Sequence, residues 1–485
     1  MPTVTPGMPA VNTKRTARIG IRAETLHRYE RRTALTPDLV AKLVRDEHIE
    51  VIVQRSPQRV FPAQQYRDAG AQIVTELGQT CPVVFGVKGI PEDFYFPGLT
   101  TVQFSHVHKG QEEGMPYLRA MMDNDSTLID YELMVGRDGN RVVAFGYHSG
   151  FAGMTDSLYV LGRRLASEGF TTPLASVRRP FDYDGNANAG IKNHLAEIGR
   201  QIRETGLPDA ITPFIVGFTG GRTGRCSTGA QEVFDSLGVK ELRWSDVCEL
   251  GFTDSLDRKG IYKVVFDRVG ENGRYRRIDG QPASNQDFLA DPAAYESNLG
   301  EGLGRLAMLI PCHLWFGGQP PLVTPEMLSS IYGQNSTRLT VVSDVTCDIW
   351  PNGAIASTRE ARTVERAFYV YDPKTGTVVE NTGQAPWEGE GIVVNACETM
   401  PCMVPKDASI AFSRKLEPYA VGIARGEYGK QYESGIITLP EDVRPAVILW
   451  NGAIPHAFKI RSDGFYGKIM EGLSRFGLGP YNRDW

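Results

Sequence analysis

Three short apolar runs near the start of the chain, "RIGIRA" from Arg18, "IEVIVQ" and "PVVFGVK", are separated by segments whose apolar residues recur with helical spacing. Strand, helix, strand in that rhythm is the signature of a parallel sheet, because parallel neighbours need a crossover and a helix supplies it. The first crossover helix is expected after "ALTP", where Thr36 stands at the cap position and Pro37 fits the first turn, and "DLVAKLVRDE" carries its apolar stripe. Runs that are apolar on both faces belong in a sheet covered on both sides. A first α/β domain follows.

With 485 residues the chain exceeds what one core organises, so two or three domains are expected. A long helical pattern, "AGMTDSLYVLGRRLASEG", leads to a second strand, turn, helix, strand series that begins with "AITPFIVGFTGG". We expect a leader over 1–17, a substrate domain over 18–150 plus about 355–485, and a nucleotide domain over 151–354 with a polar insertion and small hairpin at about 254–301. The fold class is α/β, with two Rossmann-like parallel-sheet domains and a cleft between them.

A net charge of -5 with 22% charged residues gives no basic excess, so nucleic acid is not an expected partner. No apolar run reaches the length of a bilayer, the first residues lack the pattern of a secretory signal, and a cytoplasmic protein without a membrane partner is expected. Seven scattered cysteines show neither paired metal-ligand spacing nor a disulfide framework, and no metal is expected. The oligomeric state is left open.

The stretch "GFTGGRTGRCSTGAQEVFDSLG" joins a strand to a helix through glycines. Absent side chains let backbone N–H groups and a helix N-terminus approach a pyrophosphate, and Gly220, Gly221, Gly224 and Gly229 are the candidates. The spacing departs from G-x-G-x-x-G, and a glycine turn can equally serve tight packing. "ELRW" reads as the following strand, with Asp246 just past it placed for a ribose hydroxyl, while Arg222, Arg225 and Arg243 would favour a 2′-phosphate. NAD(H) and NADP(H) both remain open.

Lys88 in "GVKGIPE" and His106 in "FSHVHKGQ" each close a short apolar run. Alone, such a lysine is most often solvated and such a histidine most often a hydrogen-bonded structural group. Together with "IRAET", "RRTALTP", "LIDYELM", "GNRVVAFGYHSGFAGM", "GRCSTGA" and "SDVTCD", in that order, these stretches resemble the lysine-2-oxoglutarate reductase and saccharopine dehydrogenase family, relatives of alanine dehydrogenase. The insertion and the wording "GVKGIPE" are most similar to the reductase half of the bifunctional aminoadipic semialdehyde synthases.

The resemblance implies that Lys88 and His106 are an acid/base pair tuned by Glu132. It implies Arg22 and Arg141 as carboxylate clamps, Arg32 as a further substrate arginine, and Gln111, Phe145 and Leu314 as substrate neighbours. It places His313, Asp344, Val345 and Thr346 at the cofactor edge, with Arg225 in the glycine turn. His108 and His148 are expected to be structural. The implied reaction is reductive condensation of lysine with 2-oxoglutarate, or its reverse, with NAD(H) or NADP(H). Asn140, Gly89 and Ile349-Trp350 depart from the fungal pattern, so another amine and keto acid, as in an opine-type reductase, is the nearest alternative. A catalytically silent regulatory relative is the alternative from another class.

Overall fold

The computed structural model describes residues 17–183, 187–249, 251–300, 302–315, 317–333, 337–380 and 383–478. The leader expected over 1–17 lies outside them except for its last residue. The described residues form two compact units, one of residues up to Ala144 and from Ser409 onward, the other of Phe145–Ala408.

In the first unit, β1 (Arg18–Ile21), β2 (Glu50–Gln54), β3 (Gln72–Val74), β4 (Val83–Phe85), β5 (Thr100–Gln103) and β6 (Thr127–Asp130) lie in the order β3-β2-β1-β4-β5-β6. All neighbours are parallel. A strand from the far end of the chain, Val447–Leu449, closes the sheet antiparallel to β6. The order reverses at β1, which makes the C-terminal strand ends of β1, β4, β5 and β6 the place where such sheets carry ligands. Helix Pro37–Arg45 begins as expected, but the Thr36 hydroxyl bonds Ser413 Oγ at 3.1 Å instead of capping the helix.

The second unit holds β7 (Phe214–Phe218), β8 (Lys240–Glu241), β9 (Ile261–Val265), β10 (Tyr275–Arg277), β11 (Tyr295–Ser297), β12 (Met308–Ile310), β13 (Val341–Ser343), β14 (Phe368–Asp372), β15 (Thr377–Val378) and β16 (Ile392–Asn395). Its main sheet runs β15-β14-β16-β13-β12-β7-β9-β8, and β10 and β11 form a separate antiparallel pair. Three expectations change. Residues from about 355 to 408 were assigned to the first domain, yet β16 pairs in parallel with β13, Val341 opposite Val393, and carries β14 with it into the second sheet. The supposed insertion begins with β9, wholly buried and hydrogen-bonded beside β7, so only the part around the β10 and β11 hairpin stands outside the sheet. Finally, "ELRW" is a strand only at Lys240–Glu241. Trp244 starts a short helix and its buried indole donates to Asn298 O at 2.8 Å.

Helix Gly146–Ser167 is buried along most of its length and lies against helix Arg225–Asp235. Small residues set that approach. A Cβ on Gly150 would stand 1.8 Å from the Cys226 carbonyl oxygen, and one on Gly229 would stand 2.0 Å from that of Tyr147. Among the described residues no helix is long and apolar enough to cross a membrane.

Gly150→Ala should therefore lower the unfolding free energy by roughly 2 kcal/mol or more, since backbone cannot yield as a side chain can. Gly190→Ala, in the exposed face of helix Ala187–Thr205 with its nearest neighbour at 3.8 Å, should instead raise it by about 0.5–1 kcal/mol. Urea unfolding of both variants reads the two opposite signs.

Candidate active site

The first unit gathers its titratable groups where its strands end. β4 runs into Gly86, Val87 and the half-buried Lys88, and the neighbouring β5 runs into Phe104, Ser105 and His106. Adjacent strands lie about 4.8 Å apart, so the two expected acid/base residues leave the sheet side by side. His106 sits at φ 57°, ψ 4°, a left-handed conformation costing about 1–3 kcal/mol for a residue with a Cβ.

Asp130, at the end of β6 and fully buried, holds that conformation. Its Oδ2 accepts from the amides of Ser105 at 3.0 Å and His106 at 3.2 Å and from the Ser105 hydroxyl, while Oδ1 accepts from the Glu132 amide at 2.8 Å. Burial works against its ionisation, but these bonds and the nearby His108 keep its carboxyl below the ordinary range.

Glu132, aimed by that same carboxylate, receives His106 Nδ1 on Oε2 at 3.0 Å and, on Oε1, Arg141 Nη2 at 2.6 Å and Lys109 Nζ at 2.9 Å. Burial again opposes the charge. The His106 bond and the Lys109 and Arg141 charges outweigh it and hold the Glu132 carboxyl well below the ordinary range. With Nδ1 engaged, His106 keeps Nε2 for other work. His108 is buried 3.7 Å from Asp130 and 3.6 Å from Glu132, as the expected structural group. These three side chains could geometrically meet a cation. Both carboxylates are, however, already occupied by hydrogen bonds and positive side chains.

Two arginines depart from their expected role. Arg22 is buried, with Nη2 2.8 Å from Glu24 and bonded to the carbonyls of Lys88 and Gly89, while Glu24 accepts from the amides of Val87 at 2.7 Å and Lys88 at 3.1 Å. Arg22 thus braces the backbone that presents Lys88 and is not a free clamp. Arg32 forms a two-pronged pair with the buried Glu30 at 2.8 and 2.5 Å, and Glu30 also feels the charge of Lys88. Arg141, half exposed, donates Nη2 to Glu132. Gln111 is exposed on the loop after Lys109. Glu24, Glu30, Lys109 and Asp130 were missed by sequence reasoning, and each acid carries only the weak signal of a carboxylate two residues from another site position.

The second unit carries the glycine turn between β7 and helix Arg225–Asp235. The turn needs its glycines: a Cβ on Gly224 would lie 2.2 Å from Gly220 O, one on Gly220 2.8 Å from Cys312 O, and Gly221 sits at φ +70°. A backbone cradle that no side chain can enter fits a dinucleotide pyrophosphate. Gly229 does not belong to that cradle, since it faces Tyr147 and packs two helices together. Asp246 is displaced as well. It lies on helix Trp244–Cys248, paired with Arg243 at 2.9 Å, beyond the edge strand β8. The strand beside β7 is β9, and past its end Asp267 is exposed, with Oδ1 3.1 Å from where a Gly221 Cβ would be. That is where a Rossmann-type sheet carries its ribose acid.

Arg222 pairs with Glu241, and Arg225 opens the helix in exposed position. Asp344 is buried and accepts from the Thr346 amide and hydroxyl and the Thr358 hydroxyl, so its carboxylate organises the loop with Val345 and Thr346 and is not presented to a ligand. His313 is buried after β12, Leu314 is exposed beside it, and Phe145 is buried at the start of helix Gly146–Ser167.

Residues 20–152 match the alanine dehydrogenase/PNT N-terminal domain family. The Arabidopsis thaliana alpha-aminoadipic semialdehyde synthase is 29% identical over 454 residues, covering 91% of this chain and 41% of that protein. The Rattus norvegicus mitochondrial enzyme of that name is 28% identical, covering 91% and 47%. The lysine-forming, NAD(+) saccharopine dehydrogenase of Schizosaccharomyces pombe is 28% identical, covering 82% and 90%. The chain is a homologue of these enzymes. It spans less than half the length of the synthases, and the homology to them extends over both units. An L-alanine dehydrogenase structure superposes with a TM-score of 0.56 at 17% identity, covering 93% of this chain and all of that one, which establishes the shared fold.

In this homologue the Glu132 carboxyl has a folded-state value below its unfolded one. Its contribution to stability is therefore complete above the ordinary glutamate range, near about 4.3, and is lost as pH falls through the lower folded value. Glu132→Gln should cost about 2–4 kcal/mol at pH 7, with the difference from wild type shrinking below pH of about 4. Paired urea titrations across that range measure it.

Proposed function

We propose that the chain is an NAD(P)-dependent oxidoreductase acting on CH–NH bonds, joining the side-chain amine of lysine to 2-oxoglutarate in a saccharopine-type secondary amine, or running that reaction in reverse. One observation carries the reading: Lys88 and His106 leave neighbouring strand ends, with the imidazole oriented by an ionised, buried Glu132. The aminoadipic semialdehyde synthase and saccharopine dehydrogenase homologues support the same chemistry.

The amine, with a solution pKa of about 10.4, must shed a proton before it can attack the ketone. A base at one strand end removes it, and the C–N bond forms as the carbonyl oxygen takes up a proton from an acid at the other. Loss of water needs that oxygen protonated a second time and the nitrogen deprotonated again, so between the two steps the base releases its proton to solvent and the acid is reprotonated from it. NAD(P)H supplies the hydride that reduces the resulting carbon–nitrogen double bond, leaving the protein to supply position and field. The half-exposed guanidinium of Arg141 suits a substrate carboxylate, and its bond to Glu132 couples that clamp to the imidazole. Asn140, just before that clamp, and Gly89, just after Lys88, are the positions at which the choice of amine and keto acid would differ from the fungal pattern.

Mass analysis of mixtures of amines and 2-oxo acids with NADH or NADPH tests the reading directly, and absence of any reduced adduct would overturn it. Lys88→Met and His106→Asn should each lower turnover by roughly 100-fold or more while dinucleotide binding persists. Asn is chosen at 106 because it tolerates the left-handed backbone. Arg141→Ala should raise the KM of a carboxylate substrate and leave the dinucleotide Kd unchanged, and a change confined to the dinucleotide would remove the clamp assignment.

A further inference from the structure

The peptide that precedes His106 is held at both ends. Its N–H, which belongs to His106, donates to Asp130 Oδ2 at 3.2 Å, and its carbonyl, which belongs to Ser105, accepts from the Tyr117 hydroxyl. A peptide unit is planar, so bonds on its two sides fix its tilt, and that tilt sets the φ of 57° at which His106 leaves β5. Asp130 comes from β6, the strand beside β5, whereas Tyr117 comes from the first turn of helix Met115–Asp123. Burial, and then the charges of Asp130 and Glu113, push its phenol well above the ordinary range, so the hydroxyl remains a donor through neutral pH.

The same phenol reaches the segment of the other proton carrier. A Cβ on Gly89, the residue after Lys88, would stand 3.4 Å from both Cζ and Oη of Tyr117, and one on Gly114 would stand 3.1 Å from Oη. The end of the ring therefore lies against Gly89 in the direction a side chain there would take. Glu24 and Arg22 hold the Lys88 segment, and Asp130 holds the His106 segment, but each acts on one of the two. Tyr117 touches both. Behind it the buried Tyr95 makes a second link of the same kind, donating to Ile90 O at 3.3 Å and accepting from Gln103 Nε2 at 3.2 Å.

We propose that Tyr117 is a positioning residue for the acid/base pair: its ring backs Gly89 and its O–H fixes the Ser105 carbonyl, so that the spacing of Lys88 and His106 depends on it. The proposal rests on the reading of those two residues as proton carriers. It also gives a reason for glycine at 89, one of the positions that departs from the fungal pattern. An alanine there would already touch the phenol, and a longer side chain would compete with it for the same place.

Tyr117→Phe keeps the ring and removes the bond, and two measurements on the intact chain read the result. With isotope-labelled histidine, the imidazole resonance that disappears in His106→Asn reports His106 without turnover. In Tyr117→Phe it should shift or broaden while that of His194, in the second unit, stays in place. In steady state, kcat should fall by roughly tenfold to a hundredfold while each KM and the dinucleotide Kd stay within about twofold. In the His106→Asn background the same substitution should cost less than about twofold, because the pair whose spacing it sets is already broken. An unmoved His106 resonance, an unchanged kcat, or a loss that adds in full to that of His106→Asn would overturn the proposal. An inactive wild type would instead overturn the acid/base reading, and the resonance would still decide whether Tyr117 holds His106.

Discussion

The Asp130 carboxylate is the interaction on which the first unit's chemistry depends. One buried side chain accepts from consecutive amides at the end of β5 and from the amide of Glu132 after β6. It thereby joins two strand ends that would otherwise splay, stabilises the left-handed turn at His106, and aims Glu132 at the imidazole. A charge without a partner at that depth would be strongly unfavourable, and against the cost of burial His108, the Ser105 hydroxyl and the backbone N–H groups together keep it ionised. Glu24 has the same relation to Lys88, accepting from the amides of Val87 and Lys88 with Arg22 as its counter-ion. Each expected proton carrier is thus presented by a backbone segment that a buried carboxylate holds from behind.

This arrangement explains what could and could not be read from the chain. Lys88 and His106 stand out in the sequence because each closes an apolar run, and a parallel sheet brings the ends of neighbouring runs together, whereas the roles expected of them and of Glu132 come from the resemblance alone. Arg22 and Arg32 were misread because a clamp and a brace have the same composition. Their partners, Glu24 and Glu30, lie only two residues away, in irregular segments where no periodicity announces a contact. Asp246 is named from the sequence because the next strand along the chain is expected beside β7. The strand that does so is β9, and β8 takes the edge. Strand order depends on pairing across long separations, and nothing local in "ELRW" or "IYKVVFD" encodes it. The placement of β14 and β16 failed for the same reason.

The two units also treat buried charge differently. In the first, Arg22 and Arg32 each have a carboxylate within 2.8 Å, and Glu132 has two cations of its own. In the second, Asp344 is satisfied by hydroxyls and amides, while Arg268 and Arg274 lie against aromatic rings. Local neutrality suits a site that must move protons through small changes in field.

The contact between helices Gly146–Ser167 and Arg225–Asp235 has a mechanical consequence. Where Gly150 meets Cys226 O and Gly229 meets Tyr147 O, backbone touches backbone with no side chain between them to change rotamer. Close-packed surfaces of that kind transmit displacement and do not absorb it. The glycine turn, continuous with the start of the second helix, is therefore anchored to the first as one stiff body, and any local adjustment within this unit falls to the loops beyond β9, β12 and β13.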